Sequence, residues 1–336
     1  MNSVNSVNSG PLLEVEDLTV SFPGRRGELR AVNRVSYSLS PRQTLAIVGE
    51  SGSGKTVSCR AVMGLLPPGA VVTGSARFSG AQLIGLTDEQ LRRHRGANVA
   101  MVFQDPTRSL NPTMRVGAQI AEAVRVHHDV GKAEARKQAV DLLRLVHIPL
   151  PERRSAEYPH QLSGGMRQRV MIAIALACRP RLLIADEATT ALDVTTQAQI
   201  MELLLELQAE LGMTLILISH DLGLAGAYAD EVIVMYAGRI VEQAPAARLF
   251  GQVRMPYTQA LFEAIPRLER PAHAPLPVIG GHPLGPPDAT AMPAGCSFAP
   301  RCRRAAGDCL AAAPPLAEHE PGHRWACWHP VDGGTS

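Results

Sequence analysis

The run Gly49-Glu50-Ser51-Gly52-Ser53-Gly54-Lys55-Thr56 constrains this chain more than any other stretch. It matches the full glycine-rich phosphate-loop pattern and follows the short apolar segment Thr44–Val48. A polyphosphate needs several backbone N–H groups converging on it, and glycines let the chain curl without a Cβ clash. A helix from Lys55 to Leu66 would add its positive end. Lys55 then supplies a point charge to the β and γ phosphates, and Thr56 a hydroxyl to Mg²⁺. The phosphate contacts fall on Gly49, Ser51, Gly52, Ser53, Gly54, Lys55 and Thr56.

The remaining chain supplies a frame for such a loop. Residues Leu12–Phe22 and Leu29–Leu39 alternate as half-buried antiparallel strands. Further strands are expected at Gly74–Phe78, Val99–Phe103, Leu182–Ala185, Thr214–Ser219 and Glu231–Met235. Thr87 and Gln90 fit a capping box. Helical periodicity runs from Val116 to Val146, broken at Asp129-Val130-Gly131, and again over Ser163–Cys178 and Thr195–Leu211. Apolar strands alternating with helices predict a parallel α/β core, with an antiparallel β subdomain and a helical insert over about 105–178. The 336 residues exceed one ordinary core, and 46% are hydrophobic. The expected division is a polar disordered arm at 1–10, a nucleotide-binding domain at 11–265 and an extension at 266–336. The extension is rich in proline (Pro271, Pro275, Pro277, Pro283, Pro286, Pro287) and reads as irregular.

Leu182-Leu183-Ile184-Ala185-Asp186-Glu187 is a buried strand ending in two acids. Alternation along the strand points the two carboxylates differently, so Asp186 suits the Mg²⁺ shell and Glu187 suits polarising the attacking water. Lys plus Arg total 33 against 31 Asp plus Glu, so charge gives no argument for a nucleic-acid partner. No secretory leader and no apolar run of spanning length is read from the sequence. The expected location is peripheral, on the cytoplasmic side of the inner membrane, with attachment through partners.

Cys59 and Cys178 read as ordinary core residues. Cys296, Cys302, Cys309 and Cys327 cluster near the C-terminus. Four thiols so close in a cytosolic chain suggest a metal site, either Zn²⁺ or an iron–sulfur cluster, with His319, His323 or His329 able to replace one ligand.

Leu162-Ser163-Gly164-Gly165-Met166-Arg167-Gln168-Arg169 resembles the signature motif of ABC ATPases, with Met166 at its fifth place. The order of motifs over residues 12–265 matches that family. The resemblance implies an ABC-type fold on the P-loop NTPase core, and ATP hydrolysis. It assigns Gln104 to the Q-loop (Mg²⁺ and water), Asp193 in Ala191-Leu192-Asp193 to the D-loop, His220 to the γ-phosphate switch and Phe22 to adenine stacking. It also implies that Ser163, Gly164 and Gly165 close over the nucleotide of a second ATPase subunit. Ala188 stands where the family usually has Pro. Met255-Pro256-Tyr257-Thr258 and Pro321-Gly322-His323-Arg324, with the cysteines, resemble the C-terminal extension of the oligopeptide, dipeptide and nickel importer ATPases. That resemblance implies a [4Fe–4S] cluster on the four cysteines, two membrane-spanning permease subunits and an extracytoplasmic solute-binding protein. Short peptides are the expected cargo, with nickel or another small solute as the alternative.

Overall fold

The computed structural model describes residues 10–24, 27–189, 192–265, 279–281 and 294–332. Residues 1–9 of the arm expected at 1–10, and the proline-rich stretch from Pro271 to Pro287 apart from 279–281, lie outside the described residues.

Twelve strands are described: β1 (Leu13–Gly24), β2 (Gly27–Leu39), β3 (Thr44–Val48), β4 (Val71–Phe78), β5 (Ala81–Gln82), β6 (Val99–Val102), β7 (Leu182–Asp186), β8 (Thr214–Ser219), β9 (Glu231–Tyr236), β10 (Arg239–Pro245), β11 (Ala317–Glu320) and β12 (His323–Trp325). They form a four-stranded sheet in the order β2-β1-β4-β5 and an eight-stranded sheet in the order β11-β12-β10-β9-β3-β8-β7-β6. The first sheet is antiparallel. In the second, β9, β3, β8, β7 and β6 run parallel to one another, while β10 is antiparallel to β9 and to β12, and β11 to β12.

Every residue of β3 and β7 is buried, as parallel strands covered on both faces require. Their side chains divide by the two-residue period. Leu45 and Ile47, with Leu182, Ile184, Ile216 and Ile218, face a core shared with the antiparallel sheet. Ala46, Val48, Leu183, Ala185, Leu215 and Leu217 face the opposite core, which the helices cover. That second core holds Val116, Ile120 and Val124 of helix Val116–His127 and Ala135, Ala139 and Leu143 of helix Lys132–Leu145. The two helices are separated where Asp129-Val130-Gly131 predicts a break. Thr87 and Gln90 form the expected capping box.

Some boundaries differ from the sequence reading. The helix after the phosphate loop spans Lys55–Val62, short of Leu66, because Gly64 takes φ +61° and stops it in a left-handed turn. The helix behind Ser163 ends at Ala175 rather than Cys178. Residues 317–325, read as irregular, form a hairpin, and β12 pairs with β10 through Glu242 and Gln243. That pairing covers what would otherwise be an open sheet edge.

A buried hydrogen-bonded pair fixes the hairpin. His323 Nε2 lies 2.9 Å from Glu242 Oε1, and both side chains are fully buried. Glu242 also accepts from the backbone N–H groups of Arg254 (2.7 Å) and Met255 (3.2 Å). His323 Nε2 is therefore taken up by the sheet. Removing this carboxylate would strand one buried imidazole and two buried amides. Glu242→Ala should lower the unfolding free energy by about 3–5 kcal/mol in a denaturant titration. A loss within experimental error of zero would show that the pair does not hold the hairpin.

Candidate functional site

Parallel pairing brings the C-terminal ends of β3, β6, β7 and β8 to one edge, where open α/β sheets bind ligands. The sequence continues from those ends into the phosphate loop, Gln104, the Asp186–Glu187 pair and His220.

Two of the loop's glycines are forced by space as well as by angle. A Cβ on Gly49 (φ +151°) would lie 2.2 Å from the Met235 carbonyl oxygen, and one on Gly54 (φ +100°) 2.6 Å from that of Ala31. Lys55 opens the helix Lys55–Val62, and its buried ammonium donates to the carbonyls of Gly49 (2.6 Å) and Glu50 (2.9 Å). Burial lowers its pKa, and the nearby carboxylates of Glu187, Asp186 and Glu50 oppose that shift. The buried hydroxyl of Ser53 has no hydrogen-bond partner among the described residues.

Thr56 Oγ1 donates to Asp186 Oδ1 at 2.6 Å, and Asp186 is buried. Burial pushes the Asp186 carboxyl up, while Thr56 and Arg60, 3.4 Å from Oδ2, pull it down. One hydroxyl beside one carboxylate at a phosphate loop fits the oxygen-ligand chemistry of Mg²⁺. Glu187 follows with φ +46°, a left-handed conformation that costs a non-glycine residue about 1–3 kcal/mol and concentrates at functional sites. Its Oε2 accepts from Gln104 Nε2 at 2.7 Å and lies 3.7 Å from His220 Nδ1. The structure thus brings Gln104, Glu187 and His220 together from three different strand ends. Ala188, beside Glu187, is buried.

Ser163, Gly164 and Gly165 form a separate group. Ser163 caps the helix Gly164–Ala175, its Oγ accepting from Met166 N at 3.3 Å. Asp193 caps the helix Val194–Leu211 through Thr196 N (2.9 Å) and Thr196 Oγ1 (2.8 Å), bonds that hold its carboxyl below the usual range. The two helix starts touch: a Cβ on Gly165 would fall 2.8 Å from Thr196 Cγ2, and one on Gly164 3.6 Å from Leu192 Cδ2. Ala191 lies outside the described residues. Phe22 pairs with Leu29 between β1 and β2 and packs, partly buried, on the core between the sheets.

Cys296, Cys302, Cys309 and Cys327 are free thiols lining one small cavity with Met255, Pro256 and Phe298. Burial first, and mutual repulsion of the thiolates after it, raise the pKa of Cys296, Cys302 and Cys327, the last to about 11. A zinc tetrathiolate would set its sulfurs about 3.8 Å apart, given a Zn–S bond of about 2.3 Å. Among the described residues, the candidate ligand atoms that all fall within 4.8 Å of one another belong to Asp308, Cys309 and His329, not to the four cysteines. His319 is stacked on Trp325 at 4.4 Å. The cavity therefore gathers four thiols in apolar surroundings.

The sequence reading gave no role at the phosphate loop to two residues beside it. Tyr257 OH accepts from Glu50 N at 2.9 Å, and Arg301 pairs with the Glu50 carboxylate. Tyr257 lies in the Met255–Thr258 run and Arg301 in no motif, and each reaches Glu50 across more than two hundred positions.

Comparison with known proteins agrees with this geometry. An ABC transporter family model matches residues 32–190, and a model of the oligopeptide/dipeptide transporter C-terminal region matches 241–309. The chain is 47% identical over 321 residues to the oligopeptide transport ATP-binding protein OppD of Escherichia coli, covering 96% of this chain and 94% of that one. The chain belongs to the ABC transporter ATP-binding proteins of the oligopeptide/dipeptide type. A probable peptide ABC transporter ATP-binding protein of Sinorhizobium fredii is 48% identical, with 94% of each chain covered. Among solved structures, the dimeric ATP-binding cassette MJ0796 bound to ADP and Pi superposes with a TM-score of 0.63 at 28% identity, covering 70% of this chain and 98% of that one. CbiO1 of Clostridium perfringens, part of a cbiONQ transporter complex, gives 0.61 at 30%, covering 72% of this chain and 91% of that one. The ABC-type α/β fold expected from the motifs is the fold observed.

Substitution at two loop glycines separates close approach from backbone angle. Gly52 has φ +80° but open space around its Cβ position, so Gly52→Ala should cost the folded protein only about 1–2 kcal/mol. Gly49→Ala must displace the Met235 carbonyl and should cost distinctly more by thermal melting, with loss of ATP binding. Equal losses for the two variants would contradict the close approach at Gly49.

Proposed function

We propose that this chain is the ATP-hydrolysing subunit of an importer of short peptides, bound peripherally on the cytoplasmic side of the membrane. The observation that carries the cargo class is similarity over nearly the whole chain, extension included, to oligopeptide transport ATP-binding proteins. No helix among the described residues is long and apolar enough to cross a membrane, so translocation requires permease subunits. An extracytoplasmic receptor would deliver the peptide to them.

In this reading the backbone N–H groups of Gly49 and Ser51–Thr56 and the Lys55 ammonium hold the triphosphate, with Phe22 against the adenine. Mg²⁺, taken by Thr56 and Asp186 with Gln104 at its water, would neutralise charge on the β and γ phosphate oxygens. Glu187 accepts a proton from the attacking water. A bond forms from the water oxygen to the γ-phosphorus as the bond to the bridging oxygen breaks, leaving ADP and phosphate. Gln104 and His220, both directed at Glu187 Oε2, orient that water and the γ-phosphate. Ser163, Gly164 and Gly165 cap the nucleotide of a second ATPase subunit, a reading supported by the dimeric form of the MJ0796 neighbour. ATP then bridges two subunits, hydrolysis releases them, and closure is driven by contacts that exist only in the closed state.

Glu187→Gln should retain ATP binding and lower steady-state hydrolysis of the assembled transporter by about 10²–10⁴-fold. Unchanged hydrolysis would remove Glu187 from the role of base.

For the extension we propose a [4Fe–4S] cluster held by Cys296, Cys302, Cys309 and Cys327. Support comes from the one cavity that the four thiols share. Such a group would staple a segment too small for a core of its own. Anaerobically purified protein should contain iron and acid-labile sulfide, about four of each per chain. Zinc alone, or neither element in a folded sample, would overturn it.

A further inference from the structure

Arg301 lies immediately before Cys302, yet its guanidinium reaches the second residue of the phosphate loop. Nη1 is 2.7 Å from Glu50 Oε2 and Nη2 is 3.0 Å from Oε1, a two-bond fork. The remaining donors are also engaged. Nε donates to the Gly280 carbonyl at 2.9 Å, Nη1 to Tyr236 OH at 3.4 Å and Nη2 to the Ile279 carbonyl at 3.4 Å. A guanidinium has five N–H groups, and all five have partners. The side chain is only 4% exposed and lies over the rings of Tyr236 and Phe298, 5.8 and 5.9 Å from their centroids.

Glu50 is tied just as fully from the other side. Its N–H donates to Tyr257 OH, and its carbonyl accepts from Lys55 Nζ and from Ser53 N. Tyr257 and Tyr236 pack on each other at 4.6 Å, and each packs on Phe298 at 5.3 Å. One aromatic block thus joins the extension to the loop. The residue whose carbonyl holds the Lys55 ammonium is the residue that Arg301 grips.

We propose that Arg301 is a positioning residue for the ATP site: by fixing Glu50 it sets the curvature of the phosphate loop and the place of Lys55. The C-terminal extension then takes part in nucleotide affinity without touching the triphosphate. This holds whatever the neighbouring cysteines bind.

A purely structural Arg301 would dock the extension and leave the loop unaffected, so the test must read the nucleotide. ATP affinity is measured on the full chain with a fluorescent ATP analogue, and KM and kcat on the assembled transporter. Arg301→Ala and Glu50→Gln should each weaken ATP binding by about tenfold or more. KM should rise with kcat at saturating ATP nearly unchanged, because the hydrolytic groups are untouched. The double variant should be no weaker than the worse single one. Arg301→Lys should recover only part of the affinity, because an ammonium cannot make the fork. Parental ATP affinity in a folded Glu50→Gln chain would overturn the proposal, as would additive losses in the double variant. If Arg301→Ala fails to fold, Glu50→Gln alone decides the matter, because it leaves the extension's own residues intact.

Discussion

In-register pairing of β3, β8 and β7 is the constraint on which the site depends. Leu45 pairs with Ile216 and Ile184 with Ile216, so a single row of side chains crosses three strands. Asp186 sits on the same face two residues further along, beside Ile218. A slip of one residue in β7 would turn Asp186 toward the helix-covered core and push Leu183 and Ala185 the other way. Both faces of these strands are buried, so such a slip would bury a carboxylate without Thr56 and misplace an entire row of apolar side chains. Core packing thereby sets where the Asp186 and Glu187 carboxylates fall relative to the phosphate loop.

The same economy governs the second group of residues. Ser163 and Asp193 each cap a helix, and the two helix starts meet through Gly165 and Thr196. A capped helix start presents backbone N–H groups and the positive end of a dipole, an arrangement suited to an anion. On the proposed reading that anion belongs to a second subunit, so the chain carries parts of two sites and completes neither alone. The contact between the two caps would make their movement a joint one.

Local chemistry made much of this legible in the sequence. The phosphate loop, the strand Thr44–Val48, the break near Gly131 and the Thr87–Gln90 capping box all depend on neighbours within a few positions, and each was found where expected. The Asp186–Glu187 pair could be read because a buried strand ends there. What could not be read depends on distant partners. β12 has only three residues and no strong pattern, and it exists because β10 offers an edge and Glu242 a buried partner for His323. Glu50 looks like filler in the loop pattern until Arg301 and Tyr257 are brought to it. Glu187's left-handed backbone is likewise a product of the fold and not of local preference.

The central claim is that each nucleotide lies between two chains, held by one and capped by the other. The direct measurement is a structure of the assembled transporter bound to a non-hydrolysable ATP analogue. The account predicts that the triphosphate on Lys55 and Thr56 of this chain faces the signature serine of the opposing ATPase subunit. Equally, this chain's Ser163 Oγ should lie within hydrogen-bond distance of the opposing γ-phosphate. A closed, nucleotide-loaded assembly in which Ser163 remains in solvent, away from any phosphate, would contradict it.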